Sequence, residues 1–130
     1  MENEFVPYEL ALRMKRLGFD ESCFRYYWER FENSPRMMNQ YGSPKSNSNL
    51  DKLAKTELKG LQGKSYCSAP LFQQVFRWFS EKYNVHMVPS KYDENRWWIQ
   101  WGTWTSSVFN TYEEAELACL TKLIEIVENK

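Results

Sequence analysis

The chain has 130 residues, with 17 Lys plus Arg against 17 Asp plus Glu and a formal net charge of zero. That balance excludes a general polyanion binder, whose affinity rests on cationic side chains that neutralise phosphates. Aromatic residues make up 17% of the chain, six of them Trp, which excludes global disorder and supplies the bulk for a single-domain core.

Met1 to Glu4 is acidic and polar and leads into no apolar run, so no secretory signal is expected. No stretch approaches the roughly 20 apolar residues that a membrane span requires. Cys23, Cys67 and Cys119 are an odd number at wide spacing, a usage that fits a reducing cytoplasm rather than a disulfide framework.

The first element is a short amphipathic helix from Pro7 to Leu17. Leu10, Met14 and Leu17 form its apolar stripe, and Gly18 followed by Phe19 forms its left-handed stop. Cys23 to Phe31 reads as a strand with Phe24, Tyr26 and Trp28 on one side and Arg25, Tyr27 and Glu29 on the other. One face leans polar, which suggests a sheet covered mainly on one side. Residues 33–49 are rich in Ser, Asn, Pro and Gly and read as a mobile insertion. Leu50, Leu53, Ala54, Leu58 and Leu61 then recur at helical spacing, with Asn49 as the cap. From Arg36 to Lys64 the cations, Lys45, Lys52, Lys55, Lys59 and Lys64 among them, outnumber Asp51 and Glu57.

A third helix is expected to open at Pro70 behind a Ser68 cap and to run to about Asn84. Leu71, Phe72, Val75, Phe76, Phe79 and Tyr83 make its buried stripe, with Trp78 at the margin. Val85 to Tyr92 and Arg96 to Trp104 read as a hairpin joined by Asp93, Glu94 and Asn95, and Ser106 to Asn110 as a further short strand. On the second hairpin strand Trp97, Ile99 and Trp101 alternate with Trp98, Gln100 and Trp104. Gln100 marks the second set as the exposed one, since a buried amide without partners is costly. The last helix starts after Thr111, with Glu114 completing a capping box. Ala115, Ala118, Cys119, Leu123, Ile126 and Val127 face inward.

No catalytic signature stands out. The three cysteines and His86 are the only soft ligands, and no pair has the short spacing of a structural zinc site. Cys67, ahead of a helix start, is a candidate thiolate with His86 as its base, but no third group to orient the histidine can be picked out. The carboxylate pairs Asp93–Glu94 and Glu113–Glu114 lie where turns and first helical turns favour acidic residues. The five glycines show neither phosphate-loop spacing. Neither an enzyme, a metal nor a cofactor is expected.

Two resemblances add context. From Ala69 onward the order helix, strand, strand, short strand, helix resembles the double-stranded RNA-binding fold, and Tyr112 to Leu123 looks like that family's last helix. That family grips phosphates from a lysine-rich helix start, where this chain has Glu113, Glu114 and Glu116, so the resemblance implies shape without RNA binding. The whole chain is similar to small uncharacterised proteins of gut Bacteroides-type bacteria and their phages or integrated elements. Glu4 to Leu12, Leu17 to Asp20, Ala69 to Phe79 and Glu114 to Glu125 carry that likeness. It implies a bacterial cytoplasmic protein encoded by a mobile element.

The expected architecture is a single α+β domain, with an antiparallel sheet of three or four strands packed by three main helices. The expected function is non-catalytic binding of a protein partner or of itself. Trp97, Trp98, Trp101 and Trp104 are the contact residues, joined by Tyr26 and Trp28 if the strands pair. The alternative is a nucleic-acid-associated module that uses the basic segment Lys45 to Lys64.

Overall fold

A computed structural model describes residues 4–29, 35–39, 46–56 and 65–129. The class is α+β, with four helices and antiparallel strands. Where the sequence reads as one domain, the chain divides into two compact units, Met1–Leu71 and Phe72–Lys130. Each has its own three-stranded sheet in place of the single sheet expected.

In the first unit α1 (Tyr8–Arg16) ends as the Gly18–Phe19 pair predicts. Gly18 takes a φ of 95° and donates its N–H to the Lys15 carbonyl, and the Phe19 N–H reaches back to Met14. These two bonds satisfy carbonyls that the helix end would leave open, and Phe19 folds under as a fully buried ring. β1 (Arg25–Glu29) is the central strand, flanked by β2 (Pro35–Asn39) and β3 (Ser65–Ala69). Tyr27 faces Cys67 and Met37 across the ladder. This is the core face. Tyr27 and Cys67 are buried, and the Tyr27 hydroxyl donates to the Val6 carbonyl at 2.6 Å. The strand therefore sits with the opposite face inward from the one its aromatic content suggests. Phe24 is 67% exposed, because one tyrosine with a satisfied hydroxyl and a ring edge-on to Tyr8 fills the space beneath α1.

The segment expected to be mobile contains β2, and Asn47 opens α2 (Asn47–Thr56). Residues 33, 34 and 40–45 of that segment lie outside the described residues, as do Leu58 and Leu61. Polar groups rather than apolar ones fix the start of α2. Ser46 is the cap instead of Asn49: its hydroxyl accepts the Asn49 N–H, and the Asn49 amide oxygen accepts the Ser46 N–H. That is a capping box with Asn in the reciprocal position. Asp20 adds a second anchor by accepting from the Ser48 N–H at 2.7 Å and its hydroxyl at 2.6 Å.

Buried Asn47 joins three segments. Its amide nitrogen donates to the Phe19 carbonyl and its amide oxygen accepts the Ser68 N–H, each at 2.8 Å. Ser68 therefore belongs to a sheet edge that Asn47 closes, not to a helix cap.

The second unit opens with α3 (Phe72–Tyr83), which buries Phe72, Val75, Phe76, Trp78 and Phe79. Asn84, at a φ of 56°, returns its N–H to Ser80 and stops the helix. The sheet follows as β4 (Pro89–Lys91), β5 (Trp97–Trp101) and β6 (Trp104–Thr105). α4 (Tyr112–Glu128) closes the unit, with Thr111 accepting the Glu114 N–H as its cap. α4 packs on α3, β4 and β5 through Ala115, Cys119, Leu120, Leu123 and Ile124. No described helix is long and apolar enough to cross a membrane.

Asn47→Ala should destabilise the protein by about 1–3 kcal/mol, because it removes two buried hydrogen bonds and takes the acceptor from the buried Ser68 N–H. Denaturant unfolding with an unchanged m value checks it, and a cost within error of zero refutes the role given to Asn47.

The Ser48 hydroxyl, above all, holds the Asp20 carboxyl below its ordinary value against a smaller opposing effect of burial. A lowered folded value means that the stabilisation is complete above the unfolded value of about 3.9 and is lost as pH falls through the folded one. Asp20→Asn should therefore be less stable at neutral pH, with a shallower acid limb below about pH 4. Melting temperatures across that range measure it.

Candidate functional site

The aromatic strand is built by two turns. Between β4 and β5, Asp93 accepts from the Asn95 N–H and from the Arg96 guanidinium, which folds the connection back on itself. Between β5 and β6 the chain reverses in two residues, Gly102 and Thr103. Gly102 has a φ of 60° and Thr103 a negative one, the pattern of a type II′ hairpin turn. This reversal places Trp104 directly opposite Trp101 and Thr105 opposite Gln100.

Directly opposed residues share a face, so the inner face carries Trp97, Ile99, Trp101 and Trp104. Ile99 is fully buried against α4. Trp97 packs edge-on against Tyr112 with ring centres 4.9 Å apart, and the Lys122 ammonium lies 4.9 Å from the Trp104 ring. Trp104 therefore does not join Trp98 on the exposed side, as strict alternation through residue 104 implies, because the chain has already turned. Trp101 is not a core residue either. It sits at the hairpin tip and remains 39% exposed.

The outer face carries Trp98 and Gln100 on β5 and Ser90 on β4, with Val88 and Tyr92 continuing the alternation of β4. Gln100 is exposed, and Ile99 beside it is buried, as the amide argument requires. Trp98 is half-buried, edge-on to Tyr92 at 4.9 Å, and the Arg96 guanidinium lies 5.0 Å from the Tyr92 ring. Tyr92 is 46% and Val88 55% exposed. Neither stood out in the sequence; their signal is period-two spacing opposite Trp98 and Gln100.

Tyr26 and Trp28 do not extend this surface by pairing, because β1 pairs only with β2 and β3. Tyr26 is half-buried on the face of β1 opposite Tyr27. Of the basic segment, Lys52 is exposed on α2 and Lys55 lies on the same helix. Lys45, Lys59 and Lys64 lie outside the described residues.

The cysteines and His86, the candidates for chemistry, are not brought together among the described residues. All three cysteines are free and buried. Cys67 lies on β3 rather than at a helix start, and burial pushes its thiol up to about 12, which keeps it protonated and unreactive at neutral pH. Burial, with the nearby Glu116 carboxylate, does the same for Cys119, whose thiol donates to the Met87 carbonyl. His86 is exposed and pairs with the Ser80 hydroxyl at 2.7 Å. Among the described residues no group of His, Cys, Asp or Glu could hold a metal ion.

No family model, curated protein or solved structure matches the chain.

The two faces predict different costs of truncation. Ile99→Ala should destabilise by about 2–4 kcal/mol, as buried aliphatic truncations do. Trp101→Ala, at the exposed tip, should cost about 1 kcal/mol. Chemical denaturation of both variants compares them, and equal losses would contradict this assignment of faces.

Proposed function

We propose that the chain is a non-catalytic cytoplasmic accessory protein that binds a protein partner or a second copy of itself through the outer face of the β4–β5–β6 sheet. The observation that supports this reading is the exposed aromatic group on that face, where Tyr92 meets both Trp98 and the Arg96 guanidinium, with Val88 also exposed. Trp, Tyr and Arg are the residues that most often carry binding energy at protein interfaces. Here the ring contacts hold Trp98 and Tyr92 in place before any partner arrives, which lowers the entropy lost on binding. The likeness to proteins of mobile elements supports a bacterial setting for the partner.

Catalysis has less support. The buried Cys67 and Cys119 thiols are protonated, and no base and nucleophile are oriented by a third group among the described residues.

Trp98→Ala and Tyr92→Ala should each weaken association at least tenfold, about 1.4 kcal/mol, while lowering folding stability by about 1 kcal/mol or less. Light scattering across a concentration series reads self-association. Calorimetric titration with a partner captured by the wild-type protein reads heterologous binding. Retention of full association in both variants would refute the reading. So would tight, salt-sensitive binding to mixed-sequence nucleic acid that falls on replacing Lys52 and Lys55.

A further inference from the structure

The geometry points to a second binding surface on the Phe72–Lys130 unit: a groove between strand β6 and helix α4 that takes an extended peptide of another protein as an added strand. The inference rests on the protein-binding reading but uses a different surface. The groove encloses about 410 Å³. One wall is the chain from Trp104 to Ser107, the other is the α4 row of Ala118, Thr121, Lys122 and Glu125, and Ile99 lies at the floor.

The backbone of Thr105 identifies the occupant. Residues 99 and 106 form a hydrogen-bonded position of the ladder, since the Ser106 N–H donates to the Ile99 carbonyl at 2.9 Å. Hydrogen-bonded and non-hydrogen-bonded positions alternate in an antiparallel pair. The Gln100–Thr105 position is therefore non-hydrogen-bonded, and the Thr105 N–H and carbonyl point away from β5. Among the described residues β6 is the edge of its sheet, and Thr105 is exposed. The Thr105 side chain shares the outer face with Gln100, so its contribution to a groove bounded by α4 is its backbone. An outward N–H and carbonyl on one residue, beside a helix wall, call for the backbone of an extended chain rather than for a helix or a small anion.

The groove also sets the chemistry of that peptide. A side chain turned toward Ala118, which lies above the fully buried Ile99, meets an apolar surface, so a small aliphatic residue fits there. Its neighbours on either side meet Thr121, Lys122 and Glu125, a polar rim of mixed charge that suits polar flanks of either sign. Trp104, positioned under Lys122, forms the end wall.

Proline tests the idea without disturbing the sheet. It is tolerated on an edge strand where the N–H faces outward, and residue 104 is already extended, as a residue before proline must be. The full-length protein is used to select from a phage-displayed library of random peptides, and one selected peptide is synthesised for titration. Selected sequences should share an aliphatic residue with polar neighbours. Binding should fall at least tenfold in Thr105→Pro, stay unchanged in Thr105→Val, and stay unchanged in Trp98→Ala. On adding the peptide, the Thr105 amide should shift in NMR spectra and become protected from hydrogen exchange. An unchanged melting temperature for Thr105→Pro separates loss of the donor from loss of the fold; if that variant melts early, the amide shift and its protection decide alone. Failure to select any peptide, binding that survives Thr105→Pro, or a peptide that perturbs Trp98 and not Thr105 would overturn the inference, and the last result would leave the outer-face reading standing. Self-association abolished by Thr105→Pro would also overturn it, in favour of a second copy as the occupant.

Discussion

The left-handed backbone at Gly102 decides which rings the second sheet presents and to which side. At a φ of 60° an L side chain is strained, whereas glycine reverses the chain there at little cost. A Cβ at this position would meet nothing within 4 Å, so the constraint lies in the dihedral angle and not in crowding. Once the chain turns, Trp104 lies across from Trp101, and both share a face with Trp97 and Ile99. Were the strand to run on instead, Trp104 would fall on the side of Trp98 and Gln100, and the helix-covered face would lose its end ring. The same reversal creates the short edge strand and directs the backbone of Thr105 outward.

The parts legible in the sequence are those with local causes. The end of α1 needs only Gly18 and Phe19, and both of its closing bonds span fewer than six residues. Thr111 and Glu114 mark the start of α4, and the stripe of α3 follows from a 3.6-residue period. Gln100 correctly marked the exposed side of β5 because the cost of burying an amide is local to one side chain. Where the reading of Trp104 failed, a local signal was present: Gly-Thr between two aromatic runs is a two-residue turn, and the run of tryptophans masked it.

The remaining differences come from contacts between residues far apart in the chain. Nothing near Ser68 tells it from a helix cap, because its N–H is taken by Asn47, 21 residues earlier. Nothing near Asn47 announces that it also holds Phe19, 28 residues earlier. The inward face of β1 is a similar case: Phe24, Tyr26 and Trp28 look like the core set by composition. Tyr27 is the one taken inside, because its hydroxyl finds the Val6 carbonyl and its neighbour across the ladder is the small Cys67. A tyrosine with a satisfied hydroxyl loses little by burial, so side-chain polarity alone is a poor guide to which face of such a strand turns inward.

The aromatic rings in the second unit divide between a packed face and an exposed one. Two of the inner rings have a partner from α4: Trp97 has Tyr112 and Trp104 has Lys122. Burial, and after it the adjacent Glu116 carboxylate, raises the Tyr112 hydroxyl above its ordinary value, so this ring remains neutral where it meets Trp97. Among the described residues the outer rings have partners from their own hairpin, Tyr92 beside Trp98 and Arg96 over Tyr92. Rings held by the hairpin but not covered by a helix are ordered without being enclosed. A folding core does not need that arrangement, and the binding proposed above would use it. It also separates two kinds of substitution on a five-residue strand: a change at Ile99 acts through the seam with α4, and a change at Trp98 acts on the face turned away from it. The exposed face of the strand can therefore vary without giving up what holds it.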